Sequence, residues 1–232
     1  MNEIIKLYEV GGCIRDQILG EKSKDIDYSV EAVSYEAMRD YIASRGIIYL
    51  ETPDKFTIRG NLPGIGAADF VLCRKEGPYS DRRRPDWVKI GTLMDDLARR
   101  DFTMNAIAKG EDGVLIDPFD GQVHIRAKLI TCVGRAEDRL MEDSLRMLRA
   151  IRFHITKKFT IHPDIEACLA SEQYLKWLGE MAIERVREEL IKMFECDTRR
   201  TLHCLTQVYP GVGATIFDNK RLWLKPSLRE AE

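Results

Sequence analysis

The stretch GGCIRDQILGEKSKDIDYSV, residues 11–30, decides the fold that we expect for this chain. It opens with Gly11 and Gly12, and glycine lets backbone N–H groups approach a phosphate closely. Arg15 follows one helical turn later, with a guanidinium fork that matches phosphate oxygens. Asp25 and Asp27 close the stretch. The layout predicts a glycine turn, a short helix and a returning strand that suit a triphosphate and its metal ions. The alternative for the two glycines is a plain strand-to-helix turn.

Paired carboxylates give the first chemical prediction. Asp25 and Asp27 are two residues apart, so on a strand they point to the same face. Adjacent carboxylates repel unless a cation lies between them, and Mg²⁺ prefers carboxylate oxygens. We therefore predict both as metal ligands and Mg²⁺ as the cofactor; a solvent-exposed pair is the alternative. Asp69, inside the apolar stretch AADFVLC, is predicted as a third catalytic carboxylate on the adjacent strand, with an edge-strand aspartate as its alternative.

Composition restricts the classes of protein to which the chain can belong. Its 232 residues are 44% hydrophobic and 32% charged, with a net charge of −2, which is typical of a globular chain. No apolar run approaches the roughly 20 residues of a membrane span, and no signal peptide is recognisable, so we expect a cytoplasmic protein without membrane contact. The six cysteines lack C-x-x-C spacing, which argues against structural zinc.

The predicted fold class is α+β. Residues 1–130 are predicted to form a head domain with a small mixed β-sheet, whose strands include IIKLYEV, DIDYSV, GIIYL, KFTIRG, AADFVLC and WVKIG. Residues 131–197 are predicted to form an all-helical neck, with continuous amphipathic helices over EDRLMEDSLRMLRAIRF (137–153) and MAIERVREELIKMF (181–194). Residues 198–232 are expected to be a short body or tail remnant with one short helix.

The segment ARRDFTMNAIA, residues 98–108, carries a further candidate site. Arg100 is predicted to hold a phosphate or ribose, and Asp101 to accept from a ribose hydroxyl. Both precede a stretch that we predict to be an apolar helix. The alternative is a helix that begins with a charged first turn.

Five segments together resemble a known family. GGCIRDQILGEKSKDID, RRDFTMNAIA, DPFDGQ, EDSLRMLRAIRF and ERVREELIKMF are similar, in order, to motifs A to E of the class II tRNA nucleotidyltransferases, which include CCA-adding enzymes and bacterial poly(A) polymerases, within the DNA polymerase β-like superfamily. The resemblance implies a catalytic head, a neck that recognises the base, and a body that is truncated here. It also implies the following roles: Asp25 and Asp27 for Mg²⁺; Gly11, Gly12, Arg15, Arg100, Asp101 and Asn105 for the nucleotide; Asp143 and Arg146 for the base; Arg149 and Arg152 to complete the nucleotide site.

The role of Asp143 and Arg146 has a physical basis. Cytosine and adenine both present an exocyclic amine beside an acceptor ring nitrogen, whereas uracil and guanine present the reverse. A carboxylate accepts from the amine, and a guanidinium donates to the ring nitrogen. The two residues are three apart on the predicted helix and hence neighbours on its surface, where an ordinary salt bridge is the alternative. Arg152 falls on the apolar side of that helix, so it needs a triphosphate or a carboxylate of a neighbouring helix as its partner.

The expected activity is addition of CCA to the 3′ end of tRNA from CTP and ATP, with release of pyrophosphate. The alternatives are a poly(A) polymerase, an enzyme that adds only CC or only A, a non-catalytic RNA-binding module, and a small-molecule nucleotidyltransferase. RKEGPYSDRRRPDWV, residues 74–88, is predicted as a mobile loop of the kind that relatives have in this interval. The oligomeric state stays open. Candidate contacts to the tRNA backbone are Lys157, Lys158, Arg199, Arg200, Lys220, Arg221 and Lys225, interleaved with Phe217 and Trp223.

Overall fold

A computed structural model describes residues 5–23 and 26–219 of the chain. These residues form two compact units. The first comprises the chain up to residue 80 together with 85–134, and the second comprises 81–84 together with the chain from residue 135. The sequence predicts the boundary near residue 130. No helix in the described ranges is long and apolar enough to cross a membrane.

The first unit contains the β-sheet. Its elements are β1 (Lys6–Val10), α1 (Gly12–Ile18), β2 (Asp27–Glu31), α2 (Tyr35–Arg45), β3 (Ile47–Thr52), β4 (Thr57–Leu62), β5 (Gly66–Leu72), β6 (Arg74–Glu76), β7 (Val88–Ile90), α3 (Leu93–Ala98), β8 (Ala108–Lys109), β9 (Leu115–Ile116), α4 (Gly121–Arg126) and β10 (Leu129–Ile130). Seven strands pair in the order β3-β4-β5-β2-β1-β8-β9, while β6 and β7 form a separate hairpin. Strands β2 and β5 run parallel and β1 and β2 run antiparallel, so the predicted mixed sheet is confirmed.

One face of this sheet packs on α2 and forms the core. Tyr28 and Val30 on β2 and Phe70 on β5 are buried in it together with Met38 of α2. Because side chains alternate along a strand, the residues between them lie on the opposite face. Asp27 and Ser29 on β2, and Asp69 on β5, therefore share the face that is turned away from α2.

The second unit is mainly helical. It comprises α5 (Ala136–Glu142), α6 (Leu145–Thr156), β11 (Thr160–Ile161), α7 (Pro163–Ala170), α8 (Glu172–Glu180), α9 (Ile183–Cys196), α10 (Thr198–His203), a π-helical stretch (Cys204–Val208), α11 (Pro210–Ala214) and a second π-helical stretch (Thr215–Asn219). The two-residue β11 is a small exception to the predicted all-helical neck. The expectation of one short helix after residue 197 is wrong, because residues 198–219 alone contain α10, α11 and the two π-helical stretches. Cys204, Leu205 and Val212 in these elements are buried.

The continuous helix predicted over residues 137–153 is wrong. The chain leaves helical conformation at Asp143, with φ −147° and ψ 101°, and α6 starts at Leu145. The physical reason is the side chain of Asp143, whose Oδ1 accepts from the backbone N–H of Leu145 at 3.1 Å. Aspartate competes with the helix in this way, which explains its preference for helix starts.

Two other elements differ from the sequence prediction. The apolar helix expected after Asp101 is a single 3₁₀ turn, Thr103–Asn105, that leads into β8. The predicted loop at 74–88 begins and ends as the β6–β7 hairpin, so residues 77–87 connect its strands. Both errors arise because short elements are set by tertiary pairing and leave little periodic signal in the sequence.

Candidate functional site

The glycine turn between β1 and α1 lies against Arg100. Gly11 has φ +77°, and a Cβ built on it would meet Nη1 of Arg100 at 2.8 Å. Its N–H donates to the carbonyl of Ile107 at 3.2 Å. A Cβ on Gly12 would meet Nη2 of Arg15 at an ordinary 3.5 Å. The turn therefore needs glycine at position 11, both for its backbone conformation and for the approach of a guanidinium.

Gly11→Ala is expected to lower the free energy of unfolding by about 1–3 kcal/mol, since a side chain there is strained and displaces Arg100. Gly12→Ala is the matched control and should change stability by less than about 1 kcal/mol. Urea unfolding followed by circular dichroism measures both. Equal losses for the two variants would show that the approach of Arg100 does not depend on Gly11.

Arg15, Asn105 and Asp101, all predicted from the sequence, form one hydrogen-bonded chain. Nη1 of Arg15 donates to Oδ1 of Asn105 at 2.6 Å. Nδ2 of Asn105 donates to Oδ1 of Asp101 at 3.0 Å. Asp101 is buried and also accepts from the N–H of Phe102 at 2.7 Å. These hydrogen bonds fix the Arg15 guanidinium next to the glycine turn.

Arg100 is held by a fully buried carboxylate, that of Asp96 on α3. Nη2 of Arg100 lies 3.1 Å from Oδ2 of Asp96 and 3.3 Å from Oγ of Ser29. Ser29 donates to Asp96 at 2.7 Å, and Nη2 of Arg99 donates to it at 2.6 Å. Burial raises the pKa of Asp96, but the charges of Arg99 and Arg100 and the hydrogen bond from Ser29 outweigh it and lower the pKa below its ordinary value. The cluster ties Arg100 to β2.

In the described part of the chain, one nitrogen of Arg100 makes no hydrogen bond in this arrangement. Its Nε is buried and has no hydrogen-bond partner among the described residues. Buried donors are normally satisfied by protein, water or ligand. An orphaned guanidinium donor beside Gly11 is what a site for an anionic ligand would contain.

Asp27 and Asp69 lie side by side on the parallel strands β2 and β5, as register partners. The edge-strand alternative for Asp69 is wrong, because β5 lies between β4 and β2. The Asp69 carboxylate also pairs with Arg59 on β4, at 3.3 Å. Asp25 lies outside the described residues, so the predicted Asp25 and Asp27 pair stays a prediction.

The donor set at this position suits a divalent metal ion. Asp27 and Asp69 supply hard carboxylate oxygens on one face of the sheet, and such oxygens are the ligands that Mg²⁺ prefers. Within residues 5–23 and 26–219 no group of three or more metal-binding side chains is found. A protein usually binds Mg²⁺ through one or two carboxylates, while water and substrate phosphates supply the remaining ligands.

The second unit holds the residues predicted to recognise the base. The sequence predicts Asp143 and Arg146 on one helix, and the break at Asp143 makes that placement wrong. The backbone N–H of Arg146 still donates to the carbonyl of Asp143, at 2.9 Å. The Asp143 carboxylate pairs instead with Arg185 on α9, with Oδ2 at 2.7 Å from Nη2. Nη1 of Arg146 donates to the carboxylate of Glu142 at 2.8 Å and to the carbonyl of Arg139 at 2.9 Å. Each predicted residue is therefore oriented by a different protein partner.

Arg149 and Arg152 share one buried acid. Nε of Arg152 donates to Oε2 of Glu189 at 2.5 Å, and Nη1 of Arg149 lies 3.7 Å from Oε1. Glu189 is 3% exposed and stands on α9, one turn after Arg185. Of the two partners expected for Arg152, the carboxylate of a neighbouring helix is the one observed.

The residues predicted to contact tRNA are only partly described. Lys158 and Arg199 are exposed, and Lys157 and Arg200 are half-buried. Nη2 of Arg200 lies 3.3 Å from Nε2 of His154, and burial together with this cation lowers the pKa of that histidine. Phe217 is half-buried, whereas Lys220, Arg221, Trp223 and Lys225 lie outside the described residues.

Sequence reasoning missed the acids and the arginine that hold the predicted residues in place. These are Asp96, Glu142, Arg185 and Glu189. Asp96 precedes Arg99 and Arg100 by three and four residues, a spacing that pairs acid and base along a helix, so a signal existed. Arg185 and Glu189 also stand four apart, in ERVREEL, but they pair with Asp143 and Arg152 and not with each other, so this spacing does not reveal their partners.

Comparison with solved structures defines the class of protein to which this fold belongs. The CCA-adding enzyme of Bacillus stearothermophilus in complex with CTP is similar, with a TM-score of 0.78 and 32% identity over 91% of this chain and 50% of that one. A Thermotoga maritima CCA-adding enzyme complexed with tRNA-CCA has a TM-score of 0.72 and 28% identity over 96% of this chain and 50% of that one. The predicted fold class is confirmed: the architecture is that of tRNA nucleotidyltransferases.

The chain belongs to the family of the poly(A) polymerase head domain, whose model matches residues 7–131. Among curated proteins, the CCA-adding enzyme of Lactobacillus gasseri is 37% identical over 190 residues, which are 80% of this chain and 45% of that protein. The family predicted from the five motifs is confirmed. This chain spans about half the length of the curated relatives that it matches.

Proposed function

We propose that the protein is a tRNA nucleotidyltransferase that adds CCA to tRNA 3′ ends from CTP and ATP and releases pyrophosphate. The observation that carries this proposal is the placement of Asp27 beside Asp69, on the sheet face where Ser29 contacts Arg100. Carboxylates for metal ions and guanidinium groups for phosphates then belong to one unit. The similarity to CCA-adding enzymes solved with CTP and with tRNA supports the choice of substrates.

Within this proposal the first unit, which contains the β-sheet, binds the triphosphate and the metal. Nucleotidyltransferases of this family generally use divalent metal ions, and we propose Mg²⁺, held by Asp25 and Asp27 with Asp69 as the third carboxylate. When bound, such ions activate the attacking 3′-hydroxyl and stabilise the leaving pyrophosphate. Arg15 and Arg100 neutralise the phosphates, and Asn105 and Asp101 keep Arg15 in place.

In this proposal the second unit, which is mainly helical, selects the base. Asp143 accepts from the exocyclic amine that cytosine and adenine share, and Arg146 donates to the ring nitrogen beside it. Neither contact requires a nucleic-acid template. Arg149 and Arg152 complete the nucleotide site, and Lys158 and Arg199, both exposed, are proposed contacts to the tRNA backbone. We propose a cytoplasmic location, where tRNA is processed.

Poly(A) polymerase is the second candidate, because the matching family model is described by that activity. The two differ in nucleotide choice. Incorporation of CTP and of ATP, each offered alone to a tRNA that lacks its 3′ CCA, separates them. Incorporation of two cytidines from CTP supports the proposal, whereas long adenosine tracts from ATP and none from CTP would replace it by the alternative.

The loop between β6 and β7 is proposed to allow the change from cytosine to adenine. Its tip is a tight turn in which Oδ1 of Asp81 accepts from the N–H groups of Arg83 and Arg84, at 2.8 and 2.7 Å. These bonds lower the pKa of the Asp81 carboxyl. Arg82 lies over the ring of Trp177, 4.7 Å from its centroid, and pairs with Glu180 at 3.3 Å. Exposed contacts of this kind are weak, so the tip can leave α8 at little cost.

Deletion of residues 81–85 is expected to give products that end at CC, because the chemistry does not use this loop while adenine requires a reshaped pocket. Sequencing of products formed with CTP and ATP together measures this. Replacement of the same five residues by glycine and serine is the length-matched control. Equal slowing of C and A addition by the deletion, or normal A addition, would exclude a switching role.

A further inference from the structure

The carboxylate of Asp143 has one acceptor position left in the described part of the chain. An ionised carboxylate offers about four lone-pair positions, two on each oxygen. On Oδ1 the backbone N–H of Leu145 takes one at 3.1 Å, and Nη1 of Arg185 takes the other at 3.2 Å. On Oδ2, Nη2 of Arg185 takes one at 2.7 Å. A single position on Oδ2 remains, which is what one N–H of an exocyclic amine requires.

Arg185 fixes the plane in which that position lies. Asp143 stands between α5 and α6 in an extended conformation, so helical packing does not set its side chain. The terminal torsion of aspartate is broad, and the bond from Leu145 holds a single oxygen. The two-pronged contact from Arg185 aligns both oxygens with the guanidinium plane. The direction of the remaining lone pair therefore depends on Arg185.

Helix α9 is held firmly enough for this task. Its residues Val186 and Leu190 are buried, and so is the acid Glu189. Glu189 contacts Arg152 on α6 at 2.5 Å, one turn beyond Arg185. Rotation of α9 would break this ion pair as well as the apolar contacts, so the packing of α9 fixes the position of Arg185.

We propose that Arg185 is a positioning residue for base discrimination, which aims the remaining Oδ2 acceptor of Asp143 at the exocyclic amine of cytosine or adenine. This inference rests on the proposed function. Without the guanidinium fork the carboxylate turns, and an acceptor no longer faces the amine. Uracil, which presents an oxygen at that place, then loses its disadvantage.

Arg185→Gln tests the proposal on the full 232-residue chain. Its preference for CTP over UTP, measured by equilibrium binding of each nucleotide and by single-nucleotide extension of tRNA, is expected to fall about tenfold. Arg185→Lys should lose nearly as much, because lysine keeps the charge but not the fork. Arg187→Gln removes the same charge from the same helix, at a residue that makes no side-chain hydrogen bond or ion pair among the described residues, and should keep the parent's preference.

A double-substitution cycle separates positioning from a merely structural role. If Arg185 acts through Asp143, adding Arg185→Gln to Asp143→Ala causes no further loss of preference. A further tenfold loss in that background, or an unchanged preference in Arg185→Gln or Arg185→Lys, would overturn the inference while leaving the proposed function intact. A parent chain that binds CTP and UTP equally would overturn the proposed function, and this inference with it.

Discussion

Asp27→Asn is expected to lower the rate of nucleotide addition by about a thousandfold, the largest effect that we expect for any single substitution. Asparagine keeps the shape of the side chain but removes a charge from the proposed metal site. A loss of about 4 kcal/mol of transition-state stabilisation gives this factor. Single-turnover extension of a tRNA that lacks CCA, with saturating CTP, measures it.

Asp54→Asn is the matched control for this experiment. Asp54 is an exposed acid of the same unit whose side chain makes no hydrogen bond or ion pair with the described residues, so the loss of its charge should leave the rate unchanged. Circular dichroism must show that both variants keep the parent's fold. An Asp27→Asn enzyme within tenfold of the parent would contradict the assignment of Asp27 to the metal.

The second large effect is expected for stability. Asp96→Asn should lower the free energy of unfolding by about 3 kcal/mol, since it leaves Arg99 and Arg100 without their shared, fully buried carboxylate. Asp95→Asn, one residue earlier, removes an exposed helix-capping contact and should cost about 1 kcal/mol. Urea unfolding at pH 7 measures both, and similar losses would contradict the central role of Asp96.

The effect of Asp96 should also depend on pH in a defined direction. Its pKa is lowered in the folded state, mainly by Arg99 and Arg100 acting against burial. Its charge therefore stabilises the fold above the ordinary aspartate pKa of about 3.9, and this contribution is lost as the pH falls through the lowered folded value. The difference between parent and Asp96→Asn should be full at pH 7 and shrink below about pH 4. A difference that grows on acidification would contradict this.

The sequence was informative where strong local patterns coincide with the fold. The β-branched and aromatic residues of DIDYSV and AADFVLC predicted strands that exist, and an aspartate in an apolar strand predicted that Asp69 would lie beside Asp27. The glycine pair predicted the turn that meets Arg100. These features are local, so spacing and residue type were enough to find them.

The contacts that hold the predicted site residues in place could not be predicted from the sequence in the same way. The break at Asp143 depends on a hydrogen bond to Leu145 and an ion pair with Arg185, 42 residues away. Helical periodicity continues across the break and concealed it. Glu189 reads as part of a charged helix face, and its burial follows from the packing of α9 on α6, which no local pattern encodes.

Sequencing of the products made on tRNA tests the central proposal most directly. Three forms of one tRNA are used: one without CCA, one ending in the first C and one ending in CC, each incubated with the parent chain, Mg²⁺ and all four nucleoside triphosphates. We expect all three to end in a single CCA, with UTP and GTP left unused. Adenosine tracts on every form, or no extension of the form that lacks CCA, would contradict CCA addition.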